Sequence, residues 1–347
     1  VTPQCAGLAP IPEPIDPAPD PDARLPRCDV VVITWTQAEN DALADVLTPG
    51  YERRRWYRYR RNFGTHFEPQ IRAGAPAKRA RRLGSYFPTR IGDQKVICFK
   101  SELHLNQDGI ENEPGKATLP VKDLFQQIIE DCRPSVVLTV GTCGAIDRRH
   151  DLGDTLVTRA ARFRCQREFK NAAYNNQTFT SDWTIPTGRF DKAEELMDLF
   201  AGRLTEPTFG PPTKRHTGEW KLANPYRPRI VHEAGGSART RIPEFHPILS
   251  TDFFEFGTSA NEAELIAIGC GLEMGDAALG LACAELADPP RWAVLRNLSD
   301  PQIAGDLTSS PRALNMQAHW AVWYYEAYGY WTSVMSSLAT WAIIAEL

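Results

Sequence analysis

The sequence predicts an α/β fold, and three segments carry the prediction. Val30-Val31-Val32-Ile33 and Trp292-Ala293-Val294-Leu295 are apolar at successive positions, and Ser135–Val140 is so at Val136-Val137-Leu138 and Val140, so both faces of each strand belong in a core. Each run adjoins a segment with helical apolar spacing. Helix, short turn, buried strand and small-residue loop is the grammar of a sheet with helices on its faces. The chain has 347 residues, 42% hydrophobic and 24% charged, enough for one large core or two modest ones. These figures exclude disorder, a collagen-like chain and a small disulfide scaffold.

The elements follow in order. Residues 1–27 contain eight prolines and read as an extended arm without a core of its own. Order begins at Asp29 with the first strand. Gln37 to Leu47 is helix-like, with Ala38, Ala42, Leu43 and Val46 on one side and Pro49-Gly50 as the stop. Leu124, Ile128 and Ile129 mark a second helix ending near Cys132-Arg133-Pro134. The second strand follows and is expected to break into a loop at Gly141-Thr142-Cys143-Gly144. Residues 164–246 are polar and broken by Pro and Gly, with one helix near Lys192–Leu204. Ala277–Ala287 is a third helix, stopped by Pro289-Pro290 ahead of the third strand. Asn297-Leu298-Ser299-Asp300 comes at that strand's carboxyl end, where open α/β sheets bind ligands. The apolar tail Trp331–Ile344 is short for a membrane span and is expected as a buried terminal helix.

Cysteine and histidine usage narrows the chemistry. Eight cysteines are scattered without a CxxC pair, which fits a reduced, cytoplasmic setting. Seven histidines show no metal-ligand spacing, so no metal and no other cofactor is expected. Gly235-Gly236 lacks a preceding strand and a following Lys-Ser/Thr and makes no phosphate loop. Acidic residues gather at strand ends instead: Glu39 after the first, Asp300 after the third, Glu273 and Asp276 at the start of the third helix. Paired carboxylates beside a glycine-lined pocket suit glycosidic-bond cleavage, in which one acid protonates the leaving group and a base serves water.

Four blocks carry a family resemblance. They are Val32-Ile33-Thr34-Trp35-Thr36-Gln37-Ala38-Glu39; Val140–Ile146 continuing to Leu152-Gly153-Asp154-Thr155-Leu156-Val157; Ile248-Leu249-Ser250-Thr251-Asp252-Phe253-Phe254; and Glu273-Met274 with Leu295–Asp300. In this order and spacing the chain resembles the purine nucleoside phosphorylase and nucleosidase superfamily over residues 28–347. The resemblance implies a three-layer α/β/α domain with a central mixed sheet. It implies that Asp300 is the general acid at purine N7 and that Glu39 positions the attacking water. Phe254 is then the aromatic that stacks on the base, and Thr142, Cys143 and Gly144 form the loop against ribose and base. Glu273 and Met274 match the start of the sugar-binding Glu-Met-Glu signature, but Gly275 stands where its second glutamate belongs; Asp276 is the available substitute.

The implied activity is hydrolysis of the N-glycosidic bond of a purine nucleoside or nucleotide, with ATP or AMP among the nucleotides. Hexameric phosphorylases carry an arginine two residues before the Gly-[ST]-Cys-Gly loop and a glycine-rich, arginine-bearing turn after the first strand. Thr139 and Thr36-Gln37-Ala38-Glu39 stand there, and a carboxylate at Glu39 repels phosphate, so water is preferred as nucleophile. A phosphate-dependent phosphorylase is the alternative enzyme; a weakened nucleotide sensor or nucleic-acid-binding module is the alternative from another class. Residues 51–90 form a basic insertion, with twelve Lys/Arg against Glu52 and Glu68, net +10, while the remainder is −14. Within it, Arg53, Arg54 and Arg55 have three readings: a solvated or oligomer-facing loop, recognition of a substrate 5′-phosphate, or nucleic-acid docking. Bacterial defence effectors of the superfamily cleave nucleotides, so the phosphate reading would extend to antiviral defence. A homo-oligomer and no membrane partner are expected.

Overall fold

The computed structural model of the chain describes residues 8–201, 228–309 and 315–347. A mixed sheet lies between two layers of helices, the three-layer α/β/α arrangement. The elements that matter for the site are β1 (Val30–Thr34), α1 (Gln37–Leu47), β2 (Gly84–Ile91), β3 (Gln94–Ser101), α2 (Pro120–Cys132), β4 (Val136–Ala145), β5 (Thr155–Thr158), β6 (Ala160–Phe163), α3 (Thr187–Ala201), β7 (Ile248–Ser250), β8 (Gly271–Glu273), α4 (Asp276–Ala284), β9 (Arg291–Asp300) and α5 (Met316–Ala345). The expected helix near Lys192–Leu204 is α3, which starts earlier; residues 202–204 lie outside the described residues.

The run Val30–Ile33 shows why the layers form. Val31 and Ile33 pack toward α2 and α4 with Leu124, Ile128 and Leu279, whereas Val30 and Val32 pack toward α1, α3 and α5 with Leu43, Leu47 and Leu338. Both sides of the strand are therefore buried, as its composition requires. The tail Trp331–Ile344 is the buried half of the 30-residue α5, lying on β4 and β9 and against α1 and α3. Among the described residues no helix is long and apolar enough to cross a membrane.

Strand register creates the cleft. β1 runs parallel to β3 and to the first half of β4, pairing as far as Ile33↔Thr139. β9 follows the other edge of β4 in parallel through Gly144. On β1's side a new neighbour, β8, arrives only at Gly144 and Ala145, and it is antiparallel. Between these two neighbours β4 has no strand partner on that side among the described residues, and the gap opens at the carboxyl ends of β1 and β9. This is where such sheets bind ligands.

Two expectations are corrected here. The strands expected to end at Val140 and Leu295 continue to Ala145 and Asp300. The glycines of β4 are not turn residues. A Cβ at Gly141 would lie 2.5 Å from Glu39 Oε1 and 2.6 Å from Arg296 Nη1, and one at Gly144 would lie 2.9 Å from Asp300 Oδ2. They are present because charged side chains approach the backbone there.

The arm and the basic stretch are built into the sheet edge. Ile11–Pro12 pairs antiparallel with β2, and Pro12 suits an edge position that needs no donor. The stretch 51–90 supplies β2 itself and the short strand Tyr57–Tyr59 paired with it. Half of its twelve basic residues are paired within the fold: Arg53 with Asp41, Arg60 with Asp22, Arg61 with Asp131, Arg72 with Glu168, Arg82 with Glu102 and Arg90 with Glu13. All six acids lie outside the stretch, which accounts for much of the charge asymmetry.

Candidate active site

Glu39 is set by local chain chemistry. Thr36 caps α1 and accepts a hydrogen bond from the Glu39 N–H, while the Glu39 side chain returns to the Thr36 N–H, forming a capping box. Oε2 also accepts from the Trp35 N–H at 3.0 Å and from Thr34 Oγ1 at 3.1 Å. Oε1 accepts from the Thr142 N–H at 2.7 Å and Thr142 Oγ1 at 2.8 Å. The carboxylate thus serves a β4 donor facing the gap that strand pairing leaves open. Although it stands in the first turn of α1, Glu39 is buried, 3% exposed. Burial alone would raise its pKa; the Arg296 charge and the donors at Thr36 and Thr142 outweigh it and hold the group below its ordinary value.

Arg296, on β9, is the hub of the site. Its Nε and Nη2 donate to the two Asp276 oxygens at 2.8 and 2.7 Å, a fork on a carboxylate. Nη2 also reaches Glu273 Oε2 at 3.4 Å, and Nη1 lies 3.4 Å from the Thr142 carbonyl and 3.7 Å from Glu39 Oε1. One buried guanidinium therefore joins three buried carboxyls. Glu273 is engaged further by Ser250 Oγ and by the Asp276 N–H. Burial and the nearby Asp276 charge push its pKa up, against the pull of Arg296.

Asp300 occupies a different environment across the cleft. A register shift between Leu298 and Asp300 turns the end of β9 so that the carboxyl lies over Gly144. Ser299 Oγ donates to Oδ1 at 3.0 Å. Burial pushes its pKa from the ordinary 3.8 up to about 7, which the Ser299 bond only partly offsets. Asp300 thus keeps a proton near neutrality while Glu39 does not.

The remaining predicted residues divide. Thr142, Cys143, Gly144, Phe254, Glu273 and Met274 line the same cleft as Glu39 and Asp300. Phe254 stands at its rim, 48% exposed. Asp276 is fully buried and turned into Arg296, and it does not line the cleft. Arg53, Arg54 and Arg55 form a short 3-10 turn beyond α1 and do not line it either. Arg53 is held by Asp41 and Arg55 by the Gly50 carbonyl.

Sequence reasoning missed Arg296, Trp35, His104 and Tyr325, all of which line the cleft. The arginine left a signal: a charge between Leu295 and Leu298 in a buried strand requires acidic company. His104 arrives from the loop after β3, and burial together with Lys100 lowers its pKa to about 4. It is a neutral imidazole at pH 7.

No family model matches the sequence, and no curated protein matches it. Similar solved structures include futalosine hydrolase of Helicobacter pylori, at 13% identity and TM-score 0.49, covering 92% of this chain and 97% of that one. The 5′-methylthioadenosine/S-adenosylhomocysteine nucleosidase from Neisseria meningitidis gives 13% identity and TM-score 0.49 over 92% of this chain and 100% of that one. S-adenosylhomocysteine nucleosidase from Streptococcus pyogenes gives 12% and 0.48 over 94% and 99%. These likenesses are of overall fold, at low identity.

Proposed function

We propose that this chain hydrolyses the N-glycosidic bond of a purine nucleoside or nucleotide, releasing the base and ribose or ribose phosphate. One observation carries the reading: a single cleft holds two carboxyl groups whose environments drive their protonation apart. Asp300 retains its proton to about pH 7, and Glu39 is held ionised. Such a division assigns acid and base roles.

Asp300 donates its proton to the purine N7 as the glycosidic bond breaks, so the base leaves neutral rather than as an anion. The sugar left behind is oxocarbenium-like and favours nearby negative charge. Glu39, with Asp276 set behind Arg296, supplies that field. Because C1′ is by then strongly electrophilic, water needs orientation more than deprotonation, and a carboxylate of low pKa is adequate. Arg296 keeps Glu39 ionised and fixed. Phe254 at the rim stacks on the base; Thr142, Cys143 and Gly144 give backbone close to it, and Glu273 and Met274 border the sugar. An anionic Glu39 repels inorganic phosphate, which supports water over phosphorolysis.

The test is a panel of purine and pyrimidine nucleosides and nucleotides, incubated with the parent protein and with Asp300→Asn, with free base followed by chromatography. The reading expects base release from purine members by the parent and its near loss in the variant. Equal release by both proteins contradicts it.

A further inference from the structure

The basic stretch 51–90 reaches the cleft wall through Arg72, a residue that nothing so far gives a task. Asn106 and Gln107 line the cleft from the one-turn helix Leu105–Asp108, which follows β3 and His104. Both residues are partly exposed, and neither side-chain amide hydrogen-bonds another described residue. A four-residue helix cannot hold itself: its first turn is costly to form, and its last carbonyls have no partners within it. The partners must come from elsewhere.

Arg72 supplies three of them. Its backbone N–H donates to the Asp108 carbonyl at 2.9 Å, its Nε to the Gln107 carbonyl at 2.6 Å and its Nη2 to the Asn106 carbonyl at 2.6 Å. One residue thus answers three successive carbonyls, and the planar fork of the guanidinium sets their spacing. At the other end of the turn the His104 N–H donates to Asp108 Oδ2. The remaining arm of the fork, Nη1, pairs with Glu168. Glu168 belongs to a segment tied to the rim of the cleft. There the N–H groups of Gln166, Arg167 and Phe169 all donate to Asp252, which lies between the lining residues Thr251 and Phe254. Arg72 does not line the cleft, yet its guanidinium fixes where Asn106 and Gln107 stand relative to Phe254.

We propose that Asn106 and Gln107 bind the substrate through their side-chain amides and that Arg72 is the positioning residue that holds them in place. This rests on the nucleosidase reading of the cleft. A primary amide offers both donors and an acceptor, so it suits hydroxyls or ring nitrogens of an uncharged part of the ligand. Neither amide bonds Glu39 or Asp300, so this wall contributes to binding and not to proton transfer.

The experiment compares KM and kcat for one purine nucleoside cleaved by the parent. The variants are Arg72→Ala, Arg72→Lys, the wall variant Asn106→Ala/Gln107→Ala, and Arg72→Ala combined with the wall variant. The wall variant should raise KM about five- to thirtyfold, the loss of one or two neutral hydrogen bonds, with kcat within about twofold. Arg72→Ala should raise KM to a similar extent. Arg72→Lys keeps the charge and one donor for a carbonyl, so its KM should fall between those of Arg72→Ala and the parent. Adding Arg72→Ala to the wall variant should change KM by less than about twofold, because nothing is left to position. A merely structural arginine would lower the melting temperature and leave KM within twofold, and that result overturns the proposal. KM increases that multiply in the combined variant also overturn it. So does a wall variant with the parent's KM, an outcome that needs no substitution of Arg72. A parent that releases base from no purine nucleoside overturns the nucleosidase reading instead.

Discussion

Replacing Asp300 by asparagine separates its chemical role from its cost to the fold. The amide keeps the shape and can still accept the Ser299 hydroxyl, but it has no acidic proton to give. Loss of general-acid catalysis should lower kcat by roughly 10²–10⁴-fold. Stability should move in the opposite direction, and its pH dependence has a definite sign. The folded protein raises this pKa from 3.8 to about 7. Below about pH 4 the carboxyl is protonated in both states and costs nothing extra. As pH rises from about 4 to 7, the unfolded chain ionises while the folded one must hold its proton or bury a charge, so stability is lost across that window. A shift of about three units corresponds to about 4 kcal/mol in order of magnitude. Asp300→Asn lacks this penalty, so its stability relative to the parent should grow between pH 4 and pH 8. Urea denaturation at several pH values measures the difference directly. A difference that stays constant over this range would show that Asp300 titrates normally, and the acid assignment would lose its physical basis.

Other substitutions test the rest of the cleft. Glu39→Gln places an amide N–H₂ against a backbone N–H whichever oxygen it replaces, so it should destabilise the fold by roughly 1–3 kcal/mol and cut kcat by about 10²–10³-fold; unchanged melting would refute the five-bond geometry. Gly141→Ala puts a methyl on Glu39 and Arg296 and should cost about 1–3 kcal/mol with loss of activity, whereas Gly188→Ala, with open space around it, should be neutral or slightly stabilising in the same melting assay. Phe254→Ala should leave stability nearly unchanged, because the ring is half exposed, and raise KM as a base-stacking contact worth about 1–3 kcal/mol is lost; an unchanged KM would remove Phe254 from the site. Neutralising Arg53, Arg54 and Arg55 together should leave kcat/KM for nucleosides and nucleotides within about twofold, since the turn does not line the cleft; a selective nucleotide defect would restore the phosphate reading.

Local patterns were the legible part of this molecule. The helix Gln37–Leu47 was readable to the residue because its cap at Thr36 and its stop at Pro49-Gly50 are both local. The apolar runs marked the buried strands for the same reason. The continuation of β9 was hidden by its polar residues Arg296, Asn297, Ser299 and Asp300, and that of β4 because glycine reads as a turn unless the side chains crowding it are known. Those side chains, Glu39 and Arg296, come from elements far apart in sequence. Distance in sequence also concealed the fate of the basic stretch: Asp131, Glu168 and Glu102 lie well away from the arginines they neutralise. Asp276 looked like a sugar ligand by its position in the motif, but the fold spends it on Arg296. Motif spacing pointed to Glu39, Glu273 and Asp300, which share the cleft; it carried no information about which acids, Asp276 among them, face a buried guanidinium.

The most direct test of the central claim is product identity in phosphate-free buffer. The parent protein is incubated with a purine nucleoside, and base and sugar are quantified together by chromatography and a reducing-sugar assay. Hydrolysis predicts equimolar free base and free reducing sugar, with no change in rate when phosphate is added. Release that depends on phosphate and yields ribose 1-phosphate would contradict the account, and so would the absence of base release from every purine nucleoside and nucleotide supplied.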